Sequence, residues 1–360
     1  MLIFFLSFCI ALYLIFQVLI LIANRRLFSQ KILGKDLAGI SVIIAAKNEA
    51  SNLPALITSI DKLDYPENYY EIIIIDDEST DNTFELCSKL IGGKNNFKII
   101  KATNKKFPTK RGALAVGIER SSFKNIMITD ADCMPQEEWL WAFAAMFNMG
   151  YDFLIGIAPF TEENNLINKI SRFENFRTSL LTASAVYLGL PYSAAARNFG
   201  FNKSAYEKIS GYTNTLDTLS GDDDLLLREA VKNNLRIGVV TEQESFVYSR
   251  TKKNLKDYLN QRSRHIKTSL YYLPKQKAML GLWHWVNIIL FFSPLLAVIN
   301  PIFVTPFFIK LFFDTLSGSL IQNKFEYKFK LFEMMYLQII YEFLLLINFL
   351  NALFRKDVWS

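Results

Sequence analysis

The sequence predicts an α/β domain with a largely parallel sheet, tethered by apolar helices. Three observations predict it. From residue 40 onward, short apolar runs alternate with helical patterns. Those runs end in polar clusters, as strands do at the mouth of an open sheet. Long apolar stretches stand at residues 1–23, 282–313 and 331–354. Composition agrees: the 360 residues are 51% hydrophobic with mean hydropathy +0.18, more than a soluble domain alone carries. The net charge of +6 suits a surface facing anionic lipid or nucleotides, though charge of this kind is not specific. Cys9 lies in an apolar run, and Cys87 and Cys133 lack metal-ligand spacing. No disulfide framework is implied, in keeping with a reducing cytoplasm.

Taken in order, residues 1–23 are uncharged and long enough to span a bilayer. Asn24-Arg25-Arg26 follows at once. A cleavable signal carries its positive charge before the apolar core, so this reads as an uncleaved helix. Arg25, Arg26, Lys31 and Lys35 then mark the cytoplasmic side, and a globular domain over 38–270 faces the cytoplasm.

Within that domain, Ile40 to Ala46 reads as a buried strand with Lys47-Asn48-Glu49 as its carboxyl-end loop. A helix follows to about residue 62, with Ser51 or Asn52 as N-cap and Pro54 in its first turn. A second strand, 71–75, ends in Asp76-Asp77, and a helix runs from there to about residue 90. Phe97 to Lys101 is the third strand, 110–120 a helix, and 126–129 the fourth strand. It ends in Asp130-Ala131-Asp132. Strands alternating with helices of this length form βαβ units, whose handedness lines up their carboxyl ends along one edge.

Asp130 and Asp132 are two carboxylates close enough to repel. A hard divalent ion, Mg²⁺ or Mn²⁺, bridging a diphosphate would neutralise them. A solvated pair is the plain alternative, and the convergence of three polar strand ends favours a binding site. No G-x-x-x-x-G-K-[ST] or G-x-G-x-x-G is present, which disfavours a P-loop or a dinucleotide site.

Further on, Asp222-Asp223-Asp224 precede a helical run to residue 231. Acids there complement a helix dipole, and they also supply candidates for a base. Residues 164–191, around Phe173, Phe176 and Leu180, read as core packing, with an acceptor groove as the alternative. Gln261-Arg262-Ser263-Arg264-His265 lies in a basic amphipathic stretch with Lys252, Lys253, Lys256 and Lys267, suited to anionic headgroups. Arg264 also suits bidentate phosphate contact. His265 and His284 have no partner at metal-ligand spacing. The stretch 282–313 contains Pro294, Pro301 and Pro306 and reads as one kinked or tilted helix, with a hairpin as the alternative. A last span covers 331–354, with Glu333 and Glu342 inside it. Arg355-Lys356 follow, and three spans leave the C-terminus in the cytoplasm.

The stretches 41–49 (Ser-Val-Ile-Ile-Ala-Ala-Lys-Asn-Glu), 74–81 (Ile-Ile-Asp-Asp-Glu-Ser-Thr-Asp) and 129–132 (Thr-Asp-Ala-Asp) resemble the GT-A glycosyltransferases of family 2. Order and spacing agree over roughly residues 40–270. The resemblance implies a Rossmann-like mixed sheet flanked by helices. It implies that Ala45, Lys47, Asn48 and Glu49 of the first loop, with Asp76 and Asp77, hold the base and ribose of a nucleotide sugar. Lys110, in Lys-Arg-Gly-Ala-Leu, and Asp130 then line the donor pocket, and Asp132 with Asp130 binds the metal. Arg228, four residues after Asp224, sets a register in which Asp222 is the base and Asp223 its reserve. Gln261, Arg264 and His265 resemble the Q-x-x-R-W motif of membrane-bound members, which closes the donor site and contacts acceptor and diphosphate. Three departures stand out: Ala46 where many members carry Pro, Gly221 where the family has an acid, and His265 for Trp.

The chemistry implied is transfer of a sugar from a nucleotide diphosphate, with a UDP-sugar as the expected donor, to a lipid or lipid-linked glycan. One carboxylate base without a nucleophile implies a single displacement and inversion. Mg²⁺ or Mn²⁺ is the expected cofactor, the inner membrane the expected location, and nucleic acid is not an expected partner. A processive polysaccharide synthase is the alternative within the class, disfavoured by the few C-terminal helices and by His265. A membrane-anchored nucleotidyltransferase is disfavoured because the first loop lacks a Gly-rich basic segment. A non-catalytic membrane scaffold needs neither Asp132 nor Asp222.

Overall fold

A computed structural model of the chain describes residues 1–30 and 36–354. Helix α1 (Leu2–Leu27) precedes β1 (Ile40–Ala46), α2 (Leu53–Ile60), β2 (Tyr70–Asp76), α3 (Thr83–Leu90), β3 (Phe97–Lys101), α4 (Thr109–Glu119) and β4 (Asn125–Asp130). Next come β5 (Cys133–Pro135), α5 (Trp139–Asn148), β6 (Phe153–Gly156), α6 (Leu166–Tyr187), β7 (Phe199–Asn202) and α7 (Lys203–Lys208). They are followed by α8 (Asp222–Lys232), β8 (Ile237–Val240), β9 (Val247–Ser249) and α9 (Leu255–Ser269). The last described helices are α10 (Pro274–Phe292), α11 (Thr305–Ile321) and α12 (Leu331–Phe354). The chain forms two compact units. One holds Gln30–Thr161 and Tyr192–Arg250; the other holds Met1–Ser29, Glu162–Pro191 and Thr251–Arg355, each over its described residues.

The first unit is built on a seven-stranded sheet of order β3-β2-β1-β4-β7-β6-β8. Strands β3, β2, β1 and β4 are parallel neighbours, and β7 runs antiparallel to both β4 and β6. The β-branched runs explain this sheet, since every residue of β2 is buried, as in strands covered on both faces. Helix α4 lies close on β1 because residue 117 is glycine: a Cβ there would stand 2.4 Å from Ile43 Cγ2. Helix α2 begins at Leu53 with proline in its first turn, as expected. The register places Ala45 beside Asp130 and Ala46 beside Asp76, so three strand ends share one edge. All three cysteines, Cys9, Cys87 and Cys133, are unbridged and buried.

The second unit is helical, and two expectations change there. Helix α1 continues to Leu27, so Arg25 and Arg26 sit in its last turn, where cations complement the dipole. Asn24 does not end it: the side chain is buried and donates to Ser184 Oγ at 2.7 Å. Lys31, Lys35, Arg355 and Lys356 lie outside the described residues. The stretch 282–313 is not one helix but parts of two. Pro294 and Pro301 open successive 3₁₀ turns, and Pro306 stands in the first turn of α11, so the helical ladder breaks between α10 and α11. The Phe291 and Phe307 rings meet near the turn at 5.7 Å, and Phe313 packs against the cluster that Val286 and Leu290 form with Cys9 and Tyr13, so α11 turns back toward α10. Four described helices are therefore long and apolar enough to cross a membrane. The expected core positions Phe173, Phe176 and Leu180 are buried on α6.

A charge cluster lies inside this helical unit. Lys310 Nζ meets Asp314 at 2.5 Å and Glu342 at 2.7 Å, and Arg177 reaches Asp314 at 3.2 Å. Gln17 Nε2 donates to Asp314 at 2.8 Å, and Gln338 Nε2 to Glu342 at 3.0 Å. Two cations face two carboxylates, and α1, α6, α11 and α12 all contribute.

Candidate active site

The site in the sheet-bearing unit forms where β1, β2 and β4 end. Asp130 closes β4, and the chain turns through Asp132 into β5. The donor atoms of Asp130, Asp132 and Cys133 all lie within 4.8 Å of one another. Sequence reasoning gave Cys133 no place here, because only the bend between β4 and β5 brings its thiol to the carboxylates. Its Sγ stands 3.6 Å from Asp132 Oδ1. Burial, then the charges of Asp130 and Asp132, push the thiol well above its ordinary pKa, so it stays protonated.

Lys110 comes from the first turn of α4. Its ammonium pairs with Asp130 and stands 3.8 Å from Asp222 Oδ2. Burial opposes its charge, but Asp130 and Asp222 outweigh that and hold its pKa above that of free lysine. Lys110 thus ties the end of β4 to the start of α8. Its neighbour Arg111, 1% exposed, donates to Thr218 O at 2.8 Å and Ser220 O at 2.6 Å. It clamps the loop that enters α8. That loop ends at Gly221, whose φ of 75° is left-handed and favours glycine. This is a physical reason for glycine at the departure noted above.

The three acids of α8 have different surroundings. Asp224 accepts from Ser193 Oγ at 2.8 Å and Ala194 N at 2.9 Å. Asp223 accepts from Ala196 N and Asp224 N, both at 2.8 Å. Burial, then the charges of Asp224 and Asp222, push the Asp223 carboxyl well above the usual range despite those bonds. Asp222 is the one that faces Lys110. Arg228 lies on the same helix but holds Asp217 at 2.8 Å, Glu229 at 2.9 Å and Asn214 O at 2.7 Å. It anchors the approach to Asp222 from behind.

At the first two strand ends, loop 47–49 is pinned to loop 79–83. Asn48 N donates to Ser79 Oγ at 3.0 Å, Asn48 Oδ1 accepts from Thr80 N at 2.8 Å, and Glu49 N donates to Thr83 Oγ1 at 2.8 Å. Lys47 is exposed, and Ala45 is half-buried at the end of β1. Asp77 pairs with Lys105 at 2.7 Å. Burial works against the Lys105 ammonium, but its bonds to Asp77 and Glu78 raise its pKa overall. Asp76 differs: it is 5% exposed, and its Oδ1 is buried with no partner. Buried polar atoms rarely go unmatched, so this oxygen is poised for an N–H.

Arg197, in a segment (197–200) that resembles the family's acceptor side, is a further organiser of this edge. It bonds Ser249 Oγ and Ala158 O, stacks 4.3 Å from Phe160, and accepts Thr129 Oγ1 at its carbonyl at 2.7 Å. These contacts depend on distant partners, which no local pattern names. Gln261, Arg264 and His265 lie on α9, in the helical unit.

Residues 41–210 match the family model described as glycosyl transferase family 2. The chain is 29% identical over 126 residues to glycosyltransferase AglE of Haloferax volcanii, covering 35% of this chain and 41% of that protein. It is 29% identical over 128 residues to a beta-monoglucosyldiacylglycerol synthase of a Nostoc species, covering 36% of this chain and 27% of that protein. The chain therefore matches well under half the length of these curated relatives. Among solved structures, it is similar to a mannosyltransferase from Pyrobaculum calidifontis in complex with GDP-Man and Mn²⁺. That likeness has a TM-score of 0.58 at 16% identity and covers 98% of this chain and 99% of the other. The fold is the expected GT-A α/β fold, and residues 41–210 are a family 2 glycosyltransferase domain.

Proposed function

We propose that the chain is a membrane-anchored, metal-dependent, inverting glycosyltransferase. It moves a sugar from a nucleotide-diphosphate donor to a lipid or lipid-linked glycan. The observation that carries this reading is the convergence of Asp130, Asp132, Lys110 and Asp222 at the carboxyl end of a parallel sheet. The residues fit a hard divalent ion: two carboxylates stand within ligand reach of each other, and the protonated Cys133 thiol adds no hard donor. Asp130 and Asp132 would hold that ion, which supplies Lewis-acid stabilisation of the departing diphosphate.

The chain's own groups do the rest. The unmatched Asp76 Oδ1 supports recognition of an N–H on the donor base. Lys110 adds positive charge beside the diphosphate. Asp222 takes the proton of the acceptor hydroxyl as its oxygen bonds the anomeric carbon, and the bond from that carbon to the diphosphate breaks on the opposite face. Asp223 and Asp224 are occupied by the backbone at 194–196, which supports Asp222 over Asp223 as base. The α9 residues Gln261, Arg264 and His265 would serve the acceptor and diphosphate. Four apolar helices, with Arg25 and Arg26 closing the first, support a multi-pass membrane protein whose catalytic domain is cytoplasmic. A lipid-glycosylating relative supports a lipid acceptor, and a nucleotide sugar with Mn²⁺ in a protein of the same fold supports the donor class.

The test is donor binding and hydrolysis by the purified protein. UDP-, GDP- and dTDP-sugars are screened with Mn²⁺ or Mg²⁺ in the wild type, Asp132→Ala and Asp222→Asn. The expected result is one metal-dependent donor, no binding in Asp132→Ala, and binding without turnover in Asp222→Asn. A folded wild type that binds no sugar nucleotide would sink the reading.

A further inference from the structure

We propose that a groove between α9 and α12 binds the head group of one anionic phospholipid. The groove has a volume of about 590 Å³ and is lined by Leu255, Lys256, Leu259, Asn260 and Ser263 of α9 and Asn351 of α12. That is the size of a small-molecule site, with apolar walls and a few polar groups.

Charge selects the occupant. Lys256 of the lining and Lys252 and Lys253, just before α9, are exposed, and among the described residues no acid pairs with them. The one acid in the first turn of α9, Asp257, is engaged by Asn254, whose Nδ2 donates to its Oδ2 at 2.9 Å and whose Oδ1 accepts from its backbone N–H at 2.9 Å. The first turn of α9 also presents backbone N–H groups, whose dipole favours a phosphate.

A second observation points to a missing partner. Asn348 lies one turn before Asn351 on α12, hence on the same face. It is 1% exposed, and neither its Nδ2 nor its Oδ1 has a hydrogen-bond partner. Asn348 does not itself line the groove, but burying an amide unmatched costs free energy, so α12 carries an unmet polar demand one turn from the Asn351 that does.

The rest of α12 fits the lipid's other end. Leu350, Leu353 and Phe354 flank Asn351 and are exposed large apolar side chains. A phosphate at Lys256 with acyl chains along these residues satisfies both halves of one amphiphile. A zwitterionic head group would bring a cation against three lysines, so the site should prefer a net negative lipid. This inference does not depend on the catalytic reading.

The test uses the full chain in detergent, with native mass spectrometry and thermal unfolding as readouts. Dioleoyl phosphatidylglycerol should remain bound as a single adduct and raise the unfolding temperature, while dioleoyl phosphatidylcholine should not. Lys256→Glu should weaken phosphatidylglycerol retention about tenfold. Asn351→Leu should weaken it without changing charge. Lys62→Glu, an exposed reversal on the sheet-bearing unit, should leave it unchanged. Equal retention of phosphatidylcholine, or of phosphatidylglycerol by Lys256→Glu, would overturn the proposal. So would an equal loss in Lys62→Glu, which would reduce the effect to net charge. Stabilisation by inorganic phosphate alone, with no lipid adduct, would overturn the lipid assignment.

Discussion

Two of the molecule's charge clusters, one in each unit, differ in composition. In the helical unit, Lys310 and Arg177 face Asp314 and Glu342, one cation to each carboxylate. At the strand ends, Lys110 meets Asp130 and Asp222, with Asp132 and Asp223 beside them. The first cluster is balanced and buried, and four helices meet in it. The second gathers carboxylates from two strand-end positions and a helix start at one sheet edge. A balanced buried cluster fixes how helices pack, because removing either sign strands the other. Carboxylates gathered at the edge of a parallel sheet suit a positive ligand.

Breaking the balance should have the largest effect. Lys310→Met leaves Asp314 and Glu342 facing each other without Lys310, and should destabilise the protein by about 3–5 kcal/mol. Chemical unfolding in detergent measures this. Wild-type stability in that variant would show that the cluster is not an architectural joint.

The next effect should appear in catalysis rather than stability. Arg111 touches neither Asp130 nor Asp132, but it holds the carbonyls that aim Asp222. Arg111→Met should lower turnover about tenfold while donor affinity stays nearly constant, because only the geometry of the base is disturbed. Arg111→Lys should recover part of the loss. A parallel fall in donor affinity would mean that Arg111 serves the whole pocket.

The smallest effect concerns pH. The Asp223 carboxyl has a folded pKa above its unfolded value, so the folded protein holds that proton more tightly. Its contribution to stability is present at low pH and is lost as pH rises from the ordinary carboxylate range through the raised folded value. Asp223→Asn keeps one acceptor for the backbone and removes the titration. Its unfolding temperature should therefore fall less than that of the wild type between pH 5 and pH 7.5. Identical pH profiles would place Asp223 in the ordinary range.

Much of this was legible in the sequence because the sheet announces itself. Runs such as Glu71 to Asp76 have the length and branching of buried strands, and their polar ends mark the edge where ligands meet α/β sheets. Asp222 was legible through its helix start, although glycine at 221 obscured the register until its left-handed backbone explained it. What stayed hidden depends on tertiary contact. Arg111 and Arg197 act on carbonyls and hydroxyls far along the chain, and Cys133 reaches the carboxylates only through a turn. The division at residues 293–304 was hidden differently. Three prolines in an apolar run fit both a kink and a turn, and the break into 3₁₀ turns, with Phe307 meeting Phe291 across it, decides between them.

The burial of every cysteine has a practical consequence. Burial pushes the Cys87 thiol up to about 12 and the Cys133 thiol well above its ordinary range, and Cys9 is fully enclosed by its neighbours. The native chain thus offers water-borne maleimides almost no thiolate. A single cysteine added at the 293–304 turn would be labelled against a silent background. From intact vesicles, its colour alone would tell which side of the bilayer that turn faces.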